Sequence, residues 1–362
     1  MRRILLLAST DLTHDQRMIR ICRSLAAHGF SICLIGREQF SSAPLKEEPY
    51  EQVRLRCSFQ RGKAFYIEFN LRLFWHLLKA PFDAVCAADL DTLAPAVLVA
   101  KLRNKRVVYD AHEYFSETPE LLGRPFVKKC WEKLADWAIP KTDGCYTVGQ
   151  ELAALLGQRY QKPFGVVRNM PFRSPAPERV ISQPILLYQG ALNVGRGLEQ
   201  ILSALLLLPD CTLWLAGEGD LSQSLRQQVV EQGLRDRVCF LGRLSPDALR
   251  KLTLQARIGL NLLENNSLSY YYSLANKAFD YVQAGVPSLQ MDFPEYKQLN
   301  AQHECFVLLA DLSPQTIADA VHQLLHDDAL YLRLHQQCRV AAREWHWEQE
   351  QENLFLQYEA LF

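Results

Sequence analysis

The sequence has no surplus of charge of either sign, because 40 lysines and arginines balance 40 aspartates and glutamates. A chain that binds nucleic acid usually carries a basic surplus, so this balance argues against that class. The sequence also lacks any run of the ~20 apolar residues that a membrane-spanning helix needs. The apolar run at residues 4–8 is too short for a signal peptide, and polar residues follow it at once. We therefore expect neither a nucleic-acid partner nor a membrane span.

The spacing that metal ligands need is also missing. None of the ten cysteines forms a Cys-x-x-Cys pair, so we do not expect a structural zinc site. Several cysteines, such as Cys33 and Cys239, lie in apolar runs, where a free thiol packs as a small hydrophobic group. Free cysteines are typical of a reducing compartment, so we expect a cytoplasmic protein.

What the sequence does contain is an alternation of short apolar runs and longer amphipathic segments. This alternation is typical of βα units and a parallel sheet, which makes the expected fold class α/β. The first helix is predicted to begin with a capping box at residues 13–16. The predicted strands are 4–8, 31–35, 84–87, 107–109 and 144–147 in the first half, and 185–189, 211–216, 238–241, 258–262, 288–291 and 305–309 in the second.

A proline-rich stretch separates the two halves. The segment from Pro171 to Pro184 has four prolines and no apolar periodicity, as is typical of a linker between domains. The predicted organisation is a first Rossmann-like domain at 1–172, a linker at 173–184 and a second domain at 185–340. A C-terminal helix at about 341–362 is expected to pack back on the first domain. A ligand would lie at the carboxyl ends of the strands.

A glycine-rich loop, residues 190–197, follows the first strand of the second half. Glycines between a strand and a helix let the backbone approach an anion, and a helix N-terminus offers free N–H groups. Arg196 adds a cation suited to phosphate. The loop also resembles a Walker A motif, but Arg196 and Gly197 stand in place of its lysine and its hydroxyl residue. A purely structural turn with a surface arginine is the alternative.

A second loop of this kind is SLANKAFDY, residues 273–281, which opens a helix that Gly285 and Pro287 end. Asn276 and Asp280 are four residues apart and share a helix face. A carboxylate one turn into such a helix can accept hydrogen bonds from a ribose diol. The alternative is an ordinary amphipathic helix with an internal lysine–aspartate pair.

The stretch VYDAHEYFSE, residues 108–117, places polar side chains at the end of an apolar run. A metal site is weakly supported, because no second histidine stands at ligand spacing from His112. A Ser–His–Asp nucleophile has no nucleophile elbow to support it. A histidine that only caps a strand end is the structural alternative. Asp110 is expected to orient the loop, and Glu113 and Glu117 to face an acceptor or solvent.

Together these segments resemble the retaining family 4, or group 1, glycosyltransferases, which have the GT-B fold. The resemblance extends over nearly the whole chain, and the order and spacing of the motifs carry it. The most specific segment is NKAFDYVQAGVP, residues 276–287. The other matching segments are residues 11–17, 109–113, 167–171, 190–197, 215–220 and 240–244.

The resemblance implies two Rossmann-like domains facing a cleft. It implies transfer of a sugar, with retention, from a nucleotide-diphosphate sugar to a saccharide or lipid-linked acceptor, as in bacterial surface polysaccharide or glycoconjugate synthesis. It implies no cofactor and no metal. His112 would contact the transferred sugar or a donor phosphate. The implied residues are His112 and Arg196 for catalysis; Gly190, Gly195, Arg196, Gly217, Arg243, Leu244, Ser273, Leu274, Ala275, Asn276, Lys277 and Asp280 for the donor; and Asp11, Thr13 and Glu113 on the acceptor side.

The chain departs from the family pattern in the donor site. The family's arginine after the first glycine of the loop is Ala191 here, and its later lysine is Arg196. The two glutamates of the family's E-x₇-E motif are Tyr272 and Asp280 here. These departures leave two alternatives open: a catalytically silent module that binds a nucleotide sugar or a partner, and a sugar-nucleotide epimerase on the same fold.

Two segments, residues 64–79 and 126–138, are predicted amphipathic helices with basic and aromatic residues. Such surfaces can rest on an anionic membrane face, which would place the protein peripherally at the inner membrane and would suit a lipid-linked acceptor. The alternative is that both helices are core elements, since wide apolar helix faces usually pack inside a protein.

Overall fold

The computed structural model describes residues 1–13, 15–174 and 183–362, and these residues form two compact units. The first unit comprises Met1–Arg168 with Gln351–Phe362, and the second comprises Asn169–Glu350. Each unit has one parallel sheet with helices, so the α/β prediction is confirmed.

In the first unit the strands follow the order β3-β2-β1-β4-β5-β6-β7, and all neighbouring pairs are parallel. The central strands are fully buried, because helices cover the sheet and the strand residues are mostly Leu, Val and Ala. Its strands are β1 (Arg3–Leu7), β2 (Ser31–Glu38), β3 (Glu51–Arg56), β4 (Ala84–Ala88), β5 (Arg106–Ala111), β6 (Gly144–Thr147) and β7 (Gly165–Val166). Its helices are α1 (Gln16–Ala27), α2 (Gly62–Lys79), α3 (Leu93–Leu102), α4 (Pro125–Ala138) and α5 (Gln150–Tyr160).

In the second unit the order is β10-β9-β8-β11-β12-β13, again parallel throughout. Its strands are β8 (Ile185–Gln189), β9 (Thr212–Ala216), β10 (Val238–Phe240), β11 (Ile258–Asn261), β12 (Ser288–Met291) and β13 (Phe306–Leu309). Its helices are α6 (Leu198–Leu205), α7 (Ser222–Glu231), α8 (Pro246–Thr253), α9 (Leu268–Tyr271), α10 (Asn276–Gln283), α11 (Pro294–Gln302), α12 (Pro314–His326) and α13 (Asp328–Ala341), and α14 (Trp347–Glu359) continues into the first unit.

Both sheets have a topological switch point, where the strand order reverses. In the first sheet it lies between β1 and β4, and in the second between β8 and β11. Ligands of open α/β sheets bind beyond the carboxyl ends of the strands at this point. Candidate ligand-binding residues therefore follow β1, β4 and β5 in one unit, and β8 and β11 in the other.

The unit boundaries lie close to the predicted ones but not at them. The first unit ends at Arg168 rather than after residue 172, because the following backbone bonds to the second unit's own residues. Trp347 N donates to Pro171 O at 2.8 Å, and Arg173 N donates to Glu348 Oε2 at 2.9 Å. The chain returns to the first unit at residue 351 rather than at about 341. Most of the predicted linker, residues 175–182, lies outside the described residues, so that prediction stays open.

The capping box predicted at residues 13–16 is wrong in its position, although His14 itself lies outside the described residues. The N-cap of α1 is Asp15, whose carboxylate accepts from Met18 N at 3.1 Å. Thr13 Oγ1 instead accepts from Arg54 Nη2 at 2.6 Å. Aspartate and threonine are both good N-cap residues, so tertiary contacts decide between them.

Helix α2 has apolar residues on two sides. Its inner side packs into the core through Phe65, Phe69, Leu73 and Leu77. Its outer side exposes Ile67, Leu71 and Trp75 at 63%, 56% and 60%, so the helix is not simply a core element. Among the described residues, no helix combines the length and apolarity needed to cross a membrane.

Candidate active site

The donor loop, residues 190–197, needs glycine at its close approaches. Gly197 has φ +66°, and a Cβ there would lie 2.6 Å from Leu262 O, the residue after β11. A Cβ at Gly217 would overlap the carbonyl oxygen of Gly190. Two glycines thus hold the turns after β8 and β9 against one another and against the end of β11. The loop is a tight backbone structure at the switch point of the second sheet, where an anion could approach it.

Lys277, in the first turn of α10, reaches back to the donor loop. Its Nζ lies 3.8 Å from the centre of the Tyr188 ring, and a Cβ at Gly190 would lie 3.3 Å from that nitrogen. Burial lowers the pKa of Lys277 well below its usual value, and the nearby Arg196 guanidinium lowers it further, while Asp280 opposes them. Of the predicted donor residues, Arg196 and Asp280 therefore interact electrostatically with Lys277, and Gly190 lies beside the Lys277 amine.

The carboxylate of Asp280 is held by a residue that the sequence analysis did not single out. Gln189, buried at the end of β8, donates from Nε2 to Asp280 Oδ2 at 2.9 Å. Thr253 Oγ1 in turn donates to Gln189 Oε1 at 2.9 Å. The sequence signal for Gln189 is an amide side chain at the end of an apolar strand, because an amide that is buried there needs hydrogen-bonding partners.

The N-terminus of α10 is fixed by a buried tyrosine. Tyr296, fully buried on α11, accepts from Ala275 N at 3.1 Å and from Asn261 Nδ2 at 2.9 Å. Ser273 Oγ donates to Tyr270 O at 2.8 Å, so its hydroxyl is engaged by the backbone of α9. The helix start therefore has a defined position without an N-cap side chain of its own.

The guanidinium of Arg196 stacks on an aromatic ring, and one of its N–H groups has no acceptor among the described residues. Its guanidinium lies 4.8 Å from the Tyr270 ring centre, and over the described residues its Nε is buried without a hydrogen-bond acceptor. Glu264, another residue that the sequence analysis did not single out, donates from its backbone N to Gly195 O at 3.0 Å. Its Oε2 accepts from Asn266 Nδ2 at 3.0 Å. A carboxylate therefore lies next to the donor loop, although Tyr272 stands in the family's first glutamate position.

Other predicted donor residues are less tightly placed. Asn276 is exposed at the start of α10, and Leu274 is buried before it. Arg243 and Leu244 are exposed in the segment after β10, and their contact with the donor stays a prediction.

The first unit has its own ionic group at the ends of β4 and β5, which we call the His112 cluster: Arg17 and Asp110, which are buried, and Asp89 and His112, which are partly buried. Arg17 Nη2 donates to Asp110 Oδ1 at 2.7 Å. His112 Nε2 lies 3.1 Å from Asp110 Oδ2, and His112 Nδ1 lies 3.1 Å from Asp89 Oδ2. His112 N also donates to Asp89 Oδ1 at 3.0 Å. Both ring nitrogens of His112 are thus engaged by carboxylates of its own unit.

The charged groups of the His112 cluster stabilise one another in their ionised forms. Burial opposes a charged imidazole, but Asp89 and Asp110 raise the pKa of His112 well above its usual value. Burial likewise opposes a charged Asp110, yet Arg17 and His112 lower the pKa of that carboxyl to about 2. The two carboxylates therefore favour the imidazolium form of His112, in which both ring nitrogens donate hydrogen bonds.

The acceptor-side residues predicted near β1 form a hydrogen-bonded loop of their own. Thr13 N donates to Asp11 Oδ1 at 3.1 Å, and Ser42 Oγ donates to Asp11 Oδ2 at 3.2 Å. Arg54 Nε donates to Asp11 O at 2.7 Å. Glu113 follows His112 and is partly buried. An acceptor contact by Asp11, Thr13 or Glu113 stays a prediction.

No group of three His, Cys, Asp or Glu side chains in the described parts of the chain is arranged to hold a metal ion. The metal-free reaction is nevertheless still a prediction.

Several solved structures share this architecture over their full length. Sucrose-phosphate synthase from Thermosynechococcus elongatus matches with a TM-score of 0.80 and 17% identity, over 100% of this chain and 99% of that chain. Anabaena Alr3699/HepE in complex with UDP and glucose matches with a TM-score of 0.76 and 14% identity, over 98% and 100%. WaaG, a glycosyltransferase involved in lipopolysaccharide biosynthesis, matches with 0.74 and 14%, over 97% and 99%. The two units are the Rossmann-like domains of a GT-B fold.

The sequence itself matches two family models, one in each half. Residues 16–170 match Glycosyltransferase Family 4, and residues 173–345 match Glycosyl transferases group 1. Together the matches extend over most of the chain, which therefore belongs to the group 1, family 4 type of glycosyltransferases. Among curated protein sequences, none matches this chain significantly.

Proposed function

We propose that this glycosyltransferase transfers a hexose, with retention, from a nucleotide-diphosphate sugar to a saccharide or lipid-linked acceptor in bacterial surface polysaccharide or glycoconjugate synthesis. The observation that carries the donor assignment is the convergence of Gly190, Arg196, Lys277 and Asp280 at one switch point. The UDP and glucose complex of HepE supports a nucleotide-sugar donor for this fold. WaaG's involvement in lipopolysaccharide biosynthesis supports a surface role.

The proposed mechanism relies on charge stabilisation. As the bond to the anomeric carbon breaks, negative charge builds on the leaving diphosphate, and Arg196, the loop amides and the α10 N-terminus are placed to stabilise it. Asp280, oriented by Gln189, accepts hydrogen bonds from the ribose. Because both ring nitrogens of His112 are held by carboxylates, we assign it the role of a fixed positive charge. No side chain is assigned as a general base.

Two other functions are alternatives to sugar transfer. Ala191 and Tyr272 lack the side chains that the family usually has at these positions, which suits a silent module that binds a nucleotide sugar or a partner. An epimerase on the same fold would invert one stereocentre of the sugar and would need no acceptor.

A donor screen separates these functions. We expect one of UDP-glucose, GDP-mannose and ADP-glucose to raise the melting temperature and to be hydrolysed slowly by the purified protein. Transfer to an acceptor in membrane or saccharide extracts completes the assignment. Binding without turnover in any extract indicates the silent module, and a changed sugar configuration indicates the epimerase. If none of the three nucleotide sugars binds, the donor assignment is wrong.

We also propose that the protein is cytoplasmic and rests peripherally on an anionic membrane face through the outer side of α2. Ile67, Leu71 and Trp75 are spaced four residues apart and exposed, and Lys63 and Lys79 stand at the two ends of the helix. Such a stripe with basic flanks suits the boundary between headgroups and acyl chains.

The second helix supports this surface less. On α4 Phe126 is exposed, but Trp131 packs between Tyr66 and Phe115, with ring centres 5.9 and 5.1 Å away. Liposome flotation tests the proposal. The protein should float with anionic vesicles at low salt and be released as salt rises. Replacing Ile67, Leu71 and Trp75 with serine should abolish flotation, whereas serine at the exposed Leu332 of α13 should not. Protein that stays at the bottom under all conditions would exclude the membrane contact.

A further inference from the structure

The Lys277 side chain is an unusual feature of the candidate donor site, because this mostly buried lysine has no hydrogen-bonding partner among the residues that the structure describes. The residue is 8% exposed, and within the described chain its Nζ faces the Tyr188 ring and makes no hydrogen bond or ion pair. The nearest acidic residue, Asp280, already accepts from Gln189. A buried ammonium normally has a carboxylate partner or loses its proton, so this amine is arranged for a charge that is not part of the protein.

The Lys277 amine lies beside the end of the donor loop that has no basic side chain. Ala191 occupies the position in which a basic side chain would follow the first glycine of the donor loop. Tyr188 connects the two features, because its hydroxyl donates to Ala191 O at 2.7 Å while its ring faces Lys277 Nζ. The short Ala191 side chain leaves this end of the loop without a charge of its own.

A diphosphate would change the charge balance around this amine. The charged or titratable groups that face it are Arg196 from the loop, Asp280 from its own helix and Tyr188 from β8. Arg196 repels an ammonium, and burial disfavours it. The two negative charges of a bound diphosphate ester would offset both effects, since opposite charges interact strongly in a site with little water.

We propose that Lys277 supplies the second diphosphate-binding cation of the donor site, in place of the side chain missing at Ala191, and takes up a proton from solvent when the nucleotide-diphosphate sugar binds. Arg196 is the first cation and stays charged throughout. This inference rests on the proposed donor function. No covalent bond changes in this step: one proton moves from water or buffer to Lys277 Nζ, and it is released when the nucleotide leaves.

The pH dependence follows from the direction of the shift. The pKa of Lys277 is lowered in the free protein, and a bound diphosphate raises it. Between these two values the complex holds one more proton than the free protein. Donor affinity should therefore fall as pH rises through this window, by up to about tenfold per pH unit. The diphosphate diester of a nucleotide sugar does not itself titrate near neutral pH, so the slope reports on the protein.

Calorimetry on the wild-type protein tests the proton uptake directly. UDP-glucose, GDP-mannose and ADP-glucose are titrated into the protein at several pH values from about 7 to 9 in Tris and in HEPES, whose ionisation enthalpies differ. Within the window between the two pKa values of Lys277, the binding enthalpies in the two buffers should differ in the direction of proton uptake, by at most about one proton per bound nucleotide sugar. Equal enthalpies in both buffers would overturn the proposal while leaving the donor function intact. Binding of none of the three would overturn both.

Variants then assign the proton to Lys277. Lys277→Met keeps the volume and burial of the side chain, and it should weaken nucleotide-sugar binding by roughly tenfold or more and abolish the buffer dependence. Lys251→Met, at an exposed lysine of α8, is the control and should change neither quantity. Unchanged affinity in Lys277→Met would rule out the proposed cation.

A compensating variant separates charge from structure. Arginine at position 191 restores a cation on the loop, and its guanidinium does not lose its proton near neutral pH. The double variant Ala191→Arg, Lys277→Met should recover most of the lost affinity but show no proton uptake. If binding stays weak in the double variant although it is folded, the loss in Lys277→Met is structural and the proposal fails.

Discussion

Charged side chains of both candidate sites are held in place by neighbouring residues. In the second unit, Asp280 is oriented by Gln189, which is itself held by Thr253. In the first unit, His112 is held by Asp89 and Asp110. Both arrangements use buried polar groups at strand ends, where a displaced partner would leave an unsatisfied group.

Replacing Asp280 with alanine should weaken nucleotide-sugar binding. The change removes the proposed acceptor for the ribose hydroxyls, and a hydrogen bond to a charged group contributes about 1.5–3 kcal/mol, so roughly tenfold or more in affinity is expected. Calorimetric titration with UDP-glucose, GDP-mannose and ADP-glucose measures it. Asp319→Ala, on α12, provides a control because that carboxylate is exposed and accepts from the neighbouring Gln315. An unchanged dissociation constant would contradict the ribose contact.

The His112 cluster predicts a pH-dependent stability. The folded-state pKa of His112 is raised, so its contribution is complete below the unfolded value of about 6.5 and is lost as pH rises through the folded value. The stability advantage of the wild type over His112→Gln should therefore shrink above pH ~6.5, by up to about 1.4 kcal/mol per pH unit. Urea unfolding from pH 6 to 9 measures it.

The control for this experiment is His322→Gln, at an exposed position on α12. Its effect on the free energy of unfolding at each pH is subtracted from that of His112→Gln. A free-energy difference for His112→Gln that does not vary with pH would show that the imidazole is not held in its charged form.

At the residue scale, the sequence predicted His112, Arg196 and Asp280 as site residues but not the groups that hold them. Asp89 and His112 are 23 positions apart, and Gln189 and Asp280 are 91 apart. Asp89 and His112 meet because the parallel strands β4 and β5 end at the same edge of a sheet, and Gln189 meets Asp280 because helix α10 lies beside the end of β8. The sequence predicted that His112 contacts a sugar or a phosphate, but it did not show that carboxylates engage both of its ring nitrogens.

At the scale of elements, apolar periodicity predicted every strand except two at the sheet edges. Strand β3, with the sequence EQVRLR, is half charged because an edge strand is only partly buried. Strand β7 has two residues, too few for any pattern. Helix α10 was predicted to run to residue 284, and it ends at Gln283. What the pattern could not show is that Tyr296 of another helix fixes where α10 begins.

Removing the Tyr296 hydroxyl should loosen the start of α10. In Tyr296→Phe the Ala275 N–H and the Asn261 amide both lose a buried acceptor, which should lower the free energy of unfolding by about 1–3 kcal/mol. Nucleotide-sugar affinity should fall too, because the helix N-terminus moves out of position. Urea unfolding and calorimetry measure the two effects. Tyr271→Phe, a partly exposed tyrosine nearby, should stay within about 0.5 kcal/mol of wild type. Equal effects of the two substitutions would refute the special role of Tyr296.

At the scale of the whole molecule, the chain builds its first unit from both of its ends. Residues 1–168 form the sheet, and the last residues, from Gln351, complete the packing. Phe355 stacks on His28 with ring centres 3.9 Å apart, and the hydroxyls of Tyr358 and Tyr146 lie 3.4 Å apart. Alternation of strands and helices predicted two domains, and the aromatic C-terminal segment predicted the return. The first unit therefore depends on a segment that follows the second unit in sequence.

This dependence predicts where a C-terminal substitution acts. Tyr358 is fully buried in the first unit, so Tyr358→Ala should leave a cavity and lower the free energy of unfolding of that unit by about 3–5 kcal/mol. The exposed Leu356 of the same helix is the matched control, because Leu356→Ala removes little buried area and should change stability by no more than about 0.5 kcal/mol. Hydrogen exchange resolved by peptide should show faster exchange in β1, β4 and β6 of the Tyr358 variant, with β8 and β11 unchanged. Faster exchange in both sheets, or in neither, would mean that the C-terminal segment does not stabilise the first unit in the way the structure indicates.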